Sequence, residues 1–260
     1  MIALTISLTQ VQLFLFIFLR VSAMTLTVPV FDNRNIPVMF KIGFCFTMAL
    51  VLYPIVRLKP TLITPSVIQF AVGVAGEIAI GATVGFLIRL IFAGIQLAGE
   101  LAGFQMGFSI ANVFDPMSSN QSPIISELMY MFAIMILLTV NAHHWILRAA
   151  AQSFTIIPPF GFHASGSLMT FLMDAVRNIF VLAIKIGSPV IASLFLISLG
   201  IGLVGRTVPQ MNVFMVATPL NIIVGLLFLS FSLPMMAAYL AHIFGGIGRE
   251  LVHVMKLIGH

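Results

Sequence analysis

The chain has 260 residues, 60% of them hydrophobic and only 7% charged, with twelve bases against seven acids for a formal net charge of +5. Soluble domains carry about 25% charged residues, so a water-facing surface cannot be built from this set, and the chain belongs in a membrane or buried inside a complex. The bases are scattered singly, which excludes a nucleic-acid-binding patch.

Apolar runs long enough to span a bilayer satisfy their own backbone as helices. Six are expected, over about 8–30, 38–56, 66–98, 124–147, 168–204 and 211–243, the last continuing as helix to 258. The fold class is therefore all-α, a membrane-type chain of about six long hydrophobic helices, several of them kinked or broken. The first run has no basic region before it, and its first base, Arg20, lies inside it. A cleaved signal peptide is not expected there. Pro29 and Pro37 bracket the first connection, PVFDNRNIP. In the second run Cys45 sits within GFCFTMAL, without the spacing of a disulfide or metal pair, and reads as a small buried hydrophobe. Pro60 and Pro65 bracket the next connection.

The third run exceeds 30 residues and carries Glu77 and Arg89. Gly81 and Gly85, then Gly99, Gly103 and Gly107, recur at every fourth position, a spacing that lets helix backbones approach closely. The sharper alternative for the second set is a hinge beside the polar stretch that follows. That stretch, GFSIANVFDPMSSNQSP at 107–123, holds one charge, Asp115, and is dense in Ser, Asn and Gln. The fourth run leads into NAHHWILRAA, which reads as an interfacial helix end with Trp145 as its anchor and His144 one turn from Arg148. Pro158 and Pro159 open the next connection. In the fifth run Asp174 and Arg177 have the spacing of a local salt bridge. Pro209 marks the last connection, while Pro189, Pro219 and Pro234 fall within apolar runs, where each removes a backbone donor and favours a bend.

Arg20, Glu77, Arg89 and Lys185 all lie inside apolar runs. Such charges are costly in lipid and face protein or a water-filled cavity, so a subunit buried among others is expected, with a tilted helix and snorkelling ends as the alternative. The bases between runs fall almost evenly on the two sides, and no orientation follows from them.

Catalytic patterns are poor. No HExxH or GxSxG is present, and GIGLVG at 200–205 follows no strand. His143 and His144 are adjacent, so their side chains leave a helix about 100° apart rather than as an i, i+4 metal pair. No enzyme, metal or other cofactor is expected. A multi-pass solute or ion transporter is the rival class, since Glu77, Glu100 and Glu127 could carry protons beside Pro-broken helices, although no internal repeat with matched charges is visible.

Five separated blocks resemble the FliR family of flagellar type III export-gate subunits: PVFDNRNIPVMFKI at 29–42, GEIAIGATVGF at 76–86, GELAGFQMGFSIANVFDP at 99–116, NAHHWILRAAAQSFTIIPPFG at 141–161 and GLVGRTVPQMNVFMVATPLNIIVG at 202–225. They follow the family order over nearly the whole chain. Gly205 stands where the family usually has Ala before the Arg, and Ala142 where Gly usually precedes the two histidines. The injectisome counterpart of the same gate is the rival within the family. The resemblance implies a subunit that assembles with FliP-like, FliQ-like and FlhB-like partners in the bacterial inner membrane, at the flagellar basal body, around a channel for unfolded export substrates. It implies that about 1–167 looks like a FliP subunit and about 168–260 like a FliQ hairpin. It also implies that much of the assembly lies outside the ordinary bilayer plane.

In that family the loop after the GFQMGF block plugs the closed pore, which here places the plug between Phe108 and Gln121. Phe108, Ile110, Val113, Phe114 and Met117 would seal a narrow lumen by dewetting. Ser118, Ser119, Asn120 and Gln121 would satisfy local backbone and water without charge; the alternative is an ordinary surface loop with turn chemistry at Asp115-Pro116. Gly99, Gly103 and Gly107 would serve as the packing face or hinge. Glu77, Arg89, Glu100 and Lys185 are expected to make polar contacts with neighbouring subunits or pore water. Arg206, Gln210 and Asn212 are expected to do so too, or to anchor the turn between the last two helices.

Overall fold

The computed structural model describes residues 7–32, 36–56, 66–108, 123–207 and 213–259. Among these the chain is helical and carries no strand. In order the helices are α1 (Leu8–Thr27), the single turn α2 (Pro29–Asp32), α3 (Val38–Leu52), α4 (Val67–Met106), α5 (Ile124–Thr139), α6 (Ala142–Ile156), α7 (Gly166–Thr207) and α8 (Val213–Gly259). Four of them, α1, α4, α7 and α8, are long and apolar enough to cross a membrane, or five if the interrupted pair α5–α6 counts as one span.

Local signals set the ends. Ser7 and Gln10 form a reciprocal capping box at the start of α1. Ser66 accepts from the Gln69 amide before α4 and Ser165 from the Leu168 amide before α7. The expected fourth segment is in fact two helices. Asn141 adopts a left-handed backbone (φ 55°) that ends α5 and starts α6, a conformation its short polar side chain tolerates. Beyond it α6 is amphipathic, with Ala149, Ala150, Ser153 and Phe154 buried while His144, Arg148 and Gln152 are exposed. An apolar-run reading stops short of such a helix. Helix α4 also runs further than expected, through the glycine block to Met106, and α7 and α8 continue through their internal prolines.

The helices build two compact units, each containing segments from early and late in the chain. The first takes residues 1–90, 141–175 and 245–260. Its core joins α1, α3 and α6 through Ile17, Val21, Ala49, Leu52 and Phe154. Cys45 is buried there as a small hydrophobe. Phe14 meets Tyr53, Phe18 meets Phe46 and Phe31 meets Phe44, so α3 runs back along α1. By contrast α1 and the first half of α4 run parallel, because their contacts rise together along both helices: Phe16 with Phe70, Arg20 with Glu77, Ala23 with Gly81 and Thr27 with Gly85. Trp145 lies against Gly248 of α8, with the Arg148 guanidinium 5.4 Å from its ring centroid.

The second unit takes residues 91–140 and 176–244. The later half of α4 is packed by three helices: α5 at Gly99, α7 at Gly94 and α8 through Phe92 and Phe244, whose centroids lie 5.7 Å apart. Asp174 and Arg177 do not form the expected salt bridge. Both are exposed, where such a pair gains little.

Glycine is required where α1 meets α4. A methyl group at Gly81 would lie 2.9 Å from the Ala23 Cβ and against the Arg20 carbonyl, and one at Gly85 would lie 2.8 Å from the Met24 carbonyl. Gly85→Val should therefore cost about 1–3 kcal/mol by overpacking and lower the thermal unfolding midpoint in detergent. Gly43→Ala, whose added methyl meets nothing within 4 Å, should leave that midpoint in place.

Candidate functional site

On α4, residues 73, 77, 81 and 85 recur every fourth position and share one face. Three are glycines and the fourth is Glu77. Gly81 and Gly85 make a shallow groove for α1, and Glu77 is the one bulky, charged group in that row. It lies 1% exposed, so its charge must be matched inside the protein.

Arg20 on α1 supplies the match and is itself 1% exposed. Its Nε donates to Oε2 of Glu77 at 2.5 Å and its Nη2 to Oε1 at 2.9 Å. This is the two-pronged geometry in which a guanidinium fits a carboxylate best. The remaining nitrogen turns to α6. Nη1 donates to the carbonyls of Ser153 and Ile157, each at 2.9 Å, and reaches the Ser153 hydroxyl at 3.3 Å. Those carbonyls lie at the C-terminal end of α6, where the helix dipole is negative; that of Ser153 also accepts from the Ile157 amide at 2.9 Å, so Arg20 adds a second donor to the last helical bond. The guanidinium carbon also sits 4.2 Å from the Phe154 ring centroid. One side chain thus neutralises α4, caps α6 and packs on its aromatic ring.

The other structured feature is the stem of the polar stretch. Helix α4 ends in a double turn: the Gly107 amide donates to the Phe104 carbonyl and the Phe108 amide to the Gly103 carbonyl, both at 3.1 Å. Gly107 has φ 90°, which only glycine adopts without strain. It therefore terminates the helix. Gly99 does make a close contact, since a methyl there would lie 2.5 Å from the Ser126 Cα on α5. Gly103 is looser, with Ile125 at 3.5 Å. The Ser126 hydroxyl donates to the Gln96 carbonyl at 3.0 Å and ties the two helices across the stem.

Of the expected plug residues, Phe108 is half-buried at this helix end. Ile110, Val113, Phe114, Asp115, Met117, Ser118, Ser119, Asn120 and Gln121 lie outside the described residues, as do Gln210 and Asn212. Arg89 and Glu100 are exposed on α4, and Arg206 is exposed in the last turn of α7. Lys185 is exposed on α7 with its Nζ 5.8 Å from the Tyr239 ring centroid. Glu77 differs from these in being buried, with the Arg20 guanidinium as its partner. In the sequence Arg20 and Glu77 stand out as charges inside apolar runs but not as a pair, and Ser153 and Ile157 do not stand out at all. Their opposite signs in two apolar runs were the available signal; the carbonyl partners carry none. The rings of His143 and His144 are also closer than a 100° step suggests, with centroids 4.2 Å apart. Among the described residues no group of three or more His, Cys, Asp or Glu could hold a metal.

Residues 11–247 match the family described as bacterial export proteins, family 1. The flagellar biosynthetic protein FliR of Bacillus subtilis (strain 168) is 34% identical over 252 residues, covering 95% of each chain. That of Pectobacterium carotovorum is 31% identical over 248 residues, covering 93% of this chain and 92% of its own, and that of Escherichia coli (strain K12) is 29% identical over 250 residues, covering 96% and 95%. The chain belongs to the FliR family. As a FliR-family export component with several membrane-type helices, it is a multi-pass membrane protein that acts within a complex.

The buried pair makes a direct prediction for this FliR-family chain. Glu77→Gln leaves the Arg20 charge uncompensated and should cost about 3–5 kcal/mol, read as a lower thermal unfolding midpoint in detergent. Glu100→Gln, at an exposed position, should fall within about 0.5 kcal/mol of the parent.

Proposed function

We propose that this chain is a non-enzymatic subunit of the flagellar protein export gate, in the bacterial inner membrane at the basal body. With FliP-like and FliQ-like subunits, and a FlhB-like one beside them, it builds the channel for unfolded flagellar substrates. In this reading about 1–167 corresponds to a FliP-like part and about 168–260 to a FliQ-like hairpin. The observation that carries it is the family match over residues 11–247.

Two structural features support an assembly member rather than a free-standing bundle. Many large apolar side chains face outward, among them Met39 at 82%, Phe104 at 70% and Phe231 at 73% exposure, which calls for lipid or partner helices as cover. In addition α3 has 15 residues, about 22 Å of helix, against a hydrocarbon core of about 30 Å. Running back along α1, it falls short of a full crossing and suits protein surroundings better than lipid. Exposed Arg89, Glu100, Lys185 and Arg206 are the groups placed to reach such neighbours. A proton-carrying role for Glu77, as in a transporter, is disfavoured because Arg20 occupies both of its oxygens.

The polar stretch from Phe108 to Gln121 is the plug of this gate. It leaves a stem fixed by the Gly107 helix end and by the Gly99–Ser126 contact. Deletion of residues 109–120 should leave the subunit composition of the purified assembly unchanged and raise its ion conductance in planar bilayers. Conductance equal to that of the intact assembly would overturn the plug, and purification of a stable, active monomer would overturn the gate reading itself.

A further inference from the structure

The connection from α6 to α7, residues 157–165, does more than join two helices. It starts at Ile157, whose carbonyl Arg20 holds. Phe160 takes a left-handed backbone (φ 68°), which a bulky residue adopts only under constraint from its surroundings. Its ring sits 5.4 Å from that of Phe16 on α1 and fills the space beside Gly73 of α4. Further on, the His163 amide donates to the Ile258 carbonyl and the Ser165 hydroxyl to the Leu257 carbonyl, each at 3.1 Å. Those carbonyls belong to the last turn of α8, the part of a helix whose carbonyls lack intrahelical donors. That turn is nonetheless deeply set, with Val254, Met255 and Ile258 at 0% exposure. Gly259 completes the junction, since a methyl there would lie 3.3 Å from the Ile156 carbonyl at the end of α6.

We infer that this connection is a strap through which the Arg20–Glu77 pair sets the last turn of α8. The pair fixes the end of α6, the end of α6 fixes where the strap begins, and the strap caps α8. The first helix and the last are therefore coupled, although no direct bond joins Arg20 to α8. A terminal helical turn held only by packing on the end of α6 would stay protected when the strap's own caps are removed. One held by the strap opens when the strap is displaced.

Backbone hydrogen exchange on the full-length protein in its purified assembly separates the two. Glu77→Gln should speed exchange in peptides covering both 153–157 and 254–258, by about tenfold for the loss of one or two hydrogen bonds. Ser165→Ala removes one of the strap's own caps on α8, together with the Ser165 acceptor at the start of α7, and should speed 254–258 while leaving 153–157 as in the parent. Should Glu77→Gln fail to assemble, Arg20→Lys, which keeps the charge and loses the fork, is read in the same way. Faster exchange at 153–157 with 254–258 unchanged would overturn the coupling. So would a Ser165→Ala variant that speeds both regions equally.

Discussion

A guanidinium cannot be left bare in an apolar interior, and the first unit is arranged around that constraint. Arg20 has donors in a rigid plane, and each direction of the plane meets a different helix. Glu77 fixes how far α4 slides along α1, because a shift of one turn would carry the carboxylate about 5.4 Å away. The glycines on the same face of α4 let the backbones come close enough for the fork to close. Charge pairing and close packing thus demand the same register, a consistency that gives a chain one favoured arrangement. A buried ion pair is weak evidence of net stability. Its contribution here is to register, since it penalises a slide that the glycine contacts already disfavour.

The parallel course of α1 and α4 follows from that register and gives α3 its place. The chain must return between two helices that run the same way, and α3 makes the return along α1 with a ladder of aromatic contacts. The later half of α4 does different work. Glycine again sets the approach at Gly99 and Gly94, but among the described residues no buried charge pair accompanies it there. A chain that acts within a complex needs surfaces for neighbours as well as a core, and outward-facing Leu, Phe and Met side chains on α3, α7 and α8 supply apolar area for that.

Helix content was legible in the sequence because hydropathy reports the demand that every backbone group bond within its own segment. Most segment starts agreed within a few residues for that reason. The failures have specific causes. Helix α6 is amphipathic and rich in alanine, so an apolar-run reading lost it after 147. The break before it rests on a left-handed asparagine, a backbone choice that its neighbours in sequence do not dictate. Gly107 shares its spacing with Gly99 and Gly103 yet ends the helix, because a four-residue rhythm cannot show whether a glycine is packed or turned. Within the candidate site, Arg20 and Glu77 were visible as charges in the wrong place, but 57 residues separate them, and the carbonyls Arg20 caps have no side-chain signature. The expected plug was legible only through family resemblance and composition; of its residues, Phe108 alone is described.

The central claim is that Arg20 has two jobs, neutralising Glu77 and capping α6, and the double exchange Arg20→Glu with Glu77→Arg tests it most directly. The exchange keeps opposite charges on the facing helices, but it turns a carboxylate toward the Ser153 and Ile157 carbonyls at the negative end of α6. Thermal unfolding of the purified protein should show the exchanged variant at least as destabilised as Glu77→Gln alone. Recovery of the parent midpoint would show that charge neutrality is all the site requires, and would contradict the account.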